Sequence, residues 1–188
     1  MEKNIYRLKI TIQWSEPQIW REVLMKKDST FKNLHQLIQI IMEWDNAHLH
    51  EFPLDNHKYI GVKPKNSFGF SNKTCIKENN AELQDYLKKK GDTIEYLYDF
   101  GDNWQHIIEL KEIKEIDDNK KYPICIDGEN AAPIEDVGGI PGYYNMIEAL
   151  NDTEHPQHEM YKEWMGENYD PTQFDKEKIN KILIFLQR

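Results

Sequence analysis

The segment Tyr98-Asp99-Phe100-Gly101-Asp102-Asn103-Trp104-Gln105-His106 crowds two carboxylates, an amide, an indole and an imidazole around one glycine. Side chains of these types can ligate a metal or move a proton, and such a density of them points to a site. His48 and His50 form a second set. On a strand, the i, i+2 spacing puts two imidazoles on one face, where they can grip one ion. The third set is the run from Ala132 to Tyr143, which holds Glu135, Asp136, Gly138 and Gly139 ahead of a helix start. Adjacent glycines there either bare backbone N–H groups for an anion or only shape the entry turn. Glu135-Asp136 just upstream repels a bare phosphate, which favours a metal or a cationic ligand.

Taken together, these residues can build a mixed nitrogen and oxygen site for zinc, manganese or iron. The candidate metal ligands are His48, His50, His106 and Asp102, with Glu135 and Asp136 as further donors. Asp99, Asp102 and Glu135 are the candidates for acid-base catalysis. The expected pocket is lined by Tyr98, Asp99, Asp102, Trp104, His106, Glu135, Asp136, Gly138, Gly139 and Tyr143. A blander reading stands beside each. Asp99-Phe100-Gly101 also suits a plain hairpin turn. His106 shares a strand face with Trp104, Ile108 and Leu110, which equally fits a core histidine bonded to backbone or carboxylate. A histidine pair such as His48 and His50 also turns up in ordinary hairpins.

The elements that must position these groups follow from periodicity. Ile5 to Trp14 alternates with Tyr6, Leu8, Ile10 and Ile12 on one face, and Ile19 to Leu24 pairs with it after the Ser15-Glu16-Pro17 break. Ser29 or Thr30 offers an N-cap to an amphipathic helix bearing Phe31, Leu34, Leu37, Ile38, Ile41 and Met42. His48 to Phe52 and Lys58 to Val62 read as a hairpin, Lys63 to Asn80 as a long mobile loop, and Ala81 to Lys89 as a short helix. Thr93 to Tyr98 and Trp104 to Ile113 are strands joined by the Asp99 to Asn103 turn. Tyr122 to Ile126 is a last short strand stopped by Asp127-Gly128. Helices are expected over Gly142 to Leu150, Pro156 to Met165 and the segment capped by Asp175. Strands then helices imply an α+β fold: a single domain over 1–188, with a mainly antiparallel sheet, one amphipathic helix in the N-terminal half and a helical C-terminal third. Trp14, Trp20, Trp44 and Trp164 read as core or half-buried edge residues, and His155 and His158 as solvated.

Composition narrows the function. Two cysteines, Cys75 and Cys125, with no CxxC give neither a disulfide framework nor a cysteine-built zinc site. The four serines lie in turns or loops without a nucleophile elbow. Residues 1–94 carry a net +3 and residues 95–188 a net −12, and only three of the 24 basic residues are arginines. That disfavours nucleic-acid reading, which relies on bidentate Arg. No apolar run approaches the ~20 residues of a membrane span, and Met1 to Asn4 leads straight into a strand. A soluble cytoplasmic protein is expected.

In order, Pro17-Gln18-Ile19-Trp20-Arg21, Leu34-His35, Trp44 with His48-Leu49-His50 and Phe52, Tyr98-Asp99-Phe100-Gly101-Asp102 with Trp104 and His106, and Pro133 with Glu135-Asp136-Val137-Gly138-Gly139 and Gly142-Tyr143 resemble the plasmid pRiA4b ORF-3-like family. The resemblance runs from about Ile5 to Phe174-Asp175. It implies a relationship to proteins of plasmids and insertion elements, some labelled resolvase-like, rather than a defined activity. The arginine clusters that recombinases need are missing here. The family pattern places cysteines where this chain has Ala132 and Val137, so histidines and carboxylates are the remaining metal donors. The leading expectation is a binding or accessory module for a small molecule or protein. A divalent-metal-dependent hydrolase and a DNA-associated mobile-element protein without recombinase chemistry are the alternatives.

Overall fold

The computed structural model describes residues 4–55, 57–63, 73–166 and 169–187. Strand β1 (Asn4–Ile12) buries Tyr6, Leu8, Ile10 and Ile12 on one side and pairs antiparallel with β2 (Trp20–Lys26). Thr30 then caps helix α1 (Phe31–Ile41): its hydroxyl accepts from the Asn33 N–H while the Asn33 amide oxygen accepts from the Thr30 N–H, a reciprocal capping box. The buried face of α1 holds Phe31, Leu34, Leu37, Ile38 and Ile41, but also His35 and Gln39. Next come β3 (His50–Asp55), β4 (Lys58–Gly61), β5 (Thr74–Lys77), a one-turn α2 (Leu83–Tyr86), β6 (Thr93–Tyr98), β7 (Trp104–Glu115) and β8 (Ile124–Glu129). Helices α3 (Gly139–Asn151), α4 (His158–Met165) and α5 (Lys176–Leu183) follow.

The strands form one eight-stranded sheet in the order β5-β4-β3-β6-β7-β1-β2-β8. Among the described residues all pairings are antiparallel except β4 with β5. With helices filling the C-terminal part, this is an α+β fold. The sheet, α1, α3 and α5 share one apolar core. No helix among the described residues is long and apolar enough to cross a membrane.

Two features lock the C-terminal part to this frame. Arg21 is buried on β2, and its guanidinium donates to the carbonyls of Ile41, Trp20 and Glu129 and stacks over Phe174 at 4.5 Å. The Ile41 carbonyl ends α1, where the helix dipole favours a cation. Gly128 makes room for this stack, since a Cβ there would come within 2.8 Å of Arg21 Cδ and 2.7 Å of Phe174. Secondly, α5 covers the outer edge of β8. Asn180 exchanges two hydrogen bonds with the Cys125 backbone, at 2.9 and 2.8 Å, much as a neighbouring strand would.

Several elements differ from the sequence reading. The last strand begins at Ile124 and runs three residues further than expected, because past a bulge at Ile126 the closely packed Asp127-Gly128 pairs with Glu22 and Arg21 of β2 rather than ending the strand. Within the expected loop from Lys63 to Asn80, parallel pairing with β4 makes Thr74–Lys77 a strand, and Glu78–Asn80 is a 3-10 turn. Residues 64–72 of that loop, and residues 1–3, lie outside the described residues. His158 is buried, not solvated, because its Nδ1 bonds the Ala149 carbonyl in the last turn of α3 at 2.8 Å. Trp14 and Trp164 are exposed rather than core.

Candidate metal centre

The sheet topology gathers the chemistry at one end. β3 and β7 both run antiparallel to β6, so the start of β3, the end of β6 and the start of β7 lie side by side, with His50 opposite Tyr98 and Tyr98 opposite Trp104. His48 sits in a bend just before β3, not on the strand, and is tied in by its N–H to the Tyr98 hydroxyl at 3.3 Å. Asp99 leaves β6 with φ 53°, a left-handed conformation that Asp and Asn tolerate. Its Oδ1 accepts from the Gly101 N–H at 2.8 Å, which fixes the carboxylate and leaves Oδ2 facing His48 Nδ1 at 3.6 Å.

The turn from Pro133 to Gly139 closes over this end. Trp44 Nε1 donates to the Pro133 carbonyl at 2.7 Å and the Asp45 N–H to Glu135 Oε2 at 2.6 Å, while the Tyr98 hydroxyl donates to Glu135 Oε1 in a short bond. Burial, reinforced by that carboxylate, pushes the Tyr98 phenol well up. Asp136, also left-handed at φ 62°, turns back so that its Oδ1 lies 3.2 Å from His48 Nε2. Gly138 donates to Asp102 Oδ2 at 3.0 Å, so Asp102 is the anion at the start of α3 and leaves little need for another. Gly139, at φ 67°, passes so close to the Asp102 carbonyl that a Cβ would lie 2.3 Å from it.

One donor atom each from His48, Asp99 and Asp136 lies within 4.8 Å of the others. Ligand atoms around a common ion at roughly 2.0–2.2 Å sit about 3–4 Å apart, and an imidazole gives one ion only one of its nitrogens. With Asp99 beside Nδ1 and Asp136 beside Nε2, a shared ion needs one of the two carboxylates to swing past the ring edge, which the exposed Asp136 has the room to do. One imidazole and two carboxylates suit manganese, iron or zinc, and three protein donors leave coordination positions open.

Of the residues singled out from sequence, His48, Asp99 and Asp136 come together, with Tyr98, Glu135, Asp102, Gly138 and Gly139 shaping the surround. The others point elsewhere. His50 bonds Glu78 at 2.8 Å and stacks on His35 at 3.5 Å. His106 is fully buried, Nδ1 against the Trp104 carbonyl at 3.1 Å, and burial pushes its pKa down to about 4. Trp104 and Tyr143 are core. Sequence reading did not single out Asp45, Asn46 or Trp44 as site residues; their contacts run through backbone groups or a distant helix and leave no periodic signal. Cys125 is buried, which pushes its thiol up to about 11, and offers no nucleophile.

Fold and site define an α+β protein whose mainly antiparallel sheet carries a histidine-carboxylate cluster at one end. The chain matches the model of the plasmid pRiA4b ORF-3-like proteins over residues 4–178, and it belongs to that family. It is 31% identical over 185 residues, 97% of this chain and 92% of the relative, to the uncharacterized protein y4hQ of Sinorhizobium fredii. It is also similar to the crystal structure of a protein of unknown function, MM3350, from Methanosarcina mazei Go1. That match has a TM-score of 0.82 at 37% identity and covers 94% of this chain and 97% of the other.

Proposed function

We propose that this protein is a divalent-metal-binding module in which His48, Asp99 and Asp136 hold one ion and the open coordination positions take an oxygen or nitrogen donor from a small molecule or protein. The observation that carries this reading is His48 Nε2. It is closed off from solvent and has no hydrogen-bond partner among the described residues, although Asp136 Oδ1 lies only 3.2 Å away. At that distance the failure is one of direction, with the oxygen off the line of an N–H. A ring nitrogen and a carboxylate oxygen that approach this closely outside hydrogen-bond geometry suit a shared cation.

Binding is favoured over hydrolysis by what the neighbouring carboxylates already do. A metal-dependent hydrolase needs a free base beside the metal-bound water. Glu135 is engaged at both oxygens and Asp102 at Oδ2, each by a hydrogen bond that shapes the turn. Titration of the metal-free protein with Mn2+, Fe2+ and Zn2+ tests the reading. Asp99→Asn and Asp136→Asn are expected to weaken binding by 10-fold or more, on the order of 1.4 kcal/mol, while Asp102→Asn leaves it within a few-fold. Equal affinity in all three variants would reject the assignment.

A further inference from the structure

Between α1 and the start of β3 the chain makes two left-handed turns, at Glu43 with φ 56° and Asn46 with φ 58°. No strand or helix contains residues 44–49, so the direction of His48 depends on anchors along the segment. Trp44 and Asp45 are held by the turn from Pro133 to Gly139, Leu49 by the Asp99 N–H, and His48 itself by the Tyr98 hydroxyl. Between them stands Asn46, whose Oδ1 lies 2.9 Å from His35 Nε2.

His35 is held so firmly that it can act as a fixed post. Its Nδ1 meets the Tyr96 hydroxyl at 2.8 Å, and its ring lies 3.5 Å from that of His50 at an interplanar angle of 7°. His50 is in turn bonded to Glu78, and Gln39 Nε2 donates to the Tyr96 hydroxyl at 3.0 Å. One assignment satisfies these groups: Gln39 donates to Tyr96, Tyr96 O–H donates to His35 Nδ1, and His35 Nε2–H donates to Asn46. Burial, with His50 next in effect, pushes the His35 pKa down to about 4, in keeping with this neutral tautomer.

We infer that His35, acting through Asn46, is a positioning residue for His48. This rests on the metal-binding reading of His48, Asp99 and Asp136. The competing explanation is that Asn46 is there only because asparagine accepts a left-handed backbone. Asn46→Gly keeps that backbone and removes the acceptor, and Asn46→Asp keeps an acceptor oxygen for His35. Because Asn46 is exposed, both variants are expected to fold, with metal-free Tm within about 3 °C of wild type.

The test measures Mn2+ and Zn2+ affinity in wild type and both variants, together with the edge-on proton contact between the His48 and Tyr98 rings, whose centroids lie 5.8 Å apart, by NMR in the metal-free proteins. Supporting residues around a metal site are commonly worth about 10–100-fold in affinity. That loss is expected for Asn46→Gly along with loss of the ring contact, and Asn46→Asp is expected to restore both. Wild-type affinity and an intact contact in Asn46→Gly would overturn the positioning role and leave the metal site standing, as would an Asn46→Asp protein no better than Asn46→Gly. No ion bound by the wild type would remove the metal reading, and this inference with it.

Discussion

At the scale of single residues, two imidazoles make stability depend on pH. Burial holds His35 and His106 at about 4, below the ordinary 6.5 of a free imidazole. Between those values the unfolded chain takes up protons that the folded chain refuses, so stability falls as pH falls through that window and is level above it. By pH 5 the loss is about 2 kcal/mol for each imidazole. The urea midpoint is expected to be flat from pH 8 to 6.5 and to drop by pH 5, with His106→Leu removing roughly half of the drop and leaving metal affinity unchanged. A midpoint level down to pH 5 would contradict this. That His106 points inward was legible from strand alternation, because Trp104, Ile108 and Leu110 share its face. The choice of Asp99 and Asp136 over Asp102 and His50 was not. It depends on left-handed backbone at both aspartates and on a bend that takes His48 off the strand, and neither changes the pattern of residue types.

Among the elements, α5 guards the sheet. Removing the Asn180 amide with Asn180→Ala leaves the Cys125 N–H and carbonyl without their partners, an expected cost of about 1–3 kcal/mol by urea denaturation. It also bares the β8 edge, so more self-association is expected by light scattering. At the other end of the helical part, Gly139→Ala is expected to cost about 1–3 kcal/mol and weaken metal binding, because its Cβ would push on the Asp102 carbonyl and displace the turn that carries Asp99. A Gly139→Ala protein with unchanged Tm and affinity would refute that coupling. Most strands and α1 could be read from periodicity, since local burial creates the pattern. β5 could not, because its strand character comes from pairing with β4. Gly128 looked like a turn signal and is instead the space occupied by Arg21 and Phe174.

Over the whole molecule, charge and topology pull the function in one direction. The first 94 residues carry a net +3 and the remainder −12, and the site gathers Asp99, Asp102, Glu135 and Asp136 at one end of the sheet. Such a surface draws cations and repels phosphate backbones. A salt-sensitive duplex shift at low ionic strength is therefore not expected, and observing one would revive a DNA-associated role. The family relationship spans the whole sheet, yet the site had to be read from geometry, since family membership names no reaction. The decisive measurement is the metal content of protein purified without a histidine tag, compared between wild type and His48→Ala at matched folding. Close to one manganese, iron or zinc ion per chain in the wild type is expected, with about a tenth or less in the variant and a metal-free Tm within a few degrees. A wild type without stoichiometric metal, or a His48→Ala protein that retains it, would contradict the metal centre.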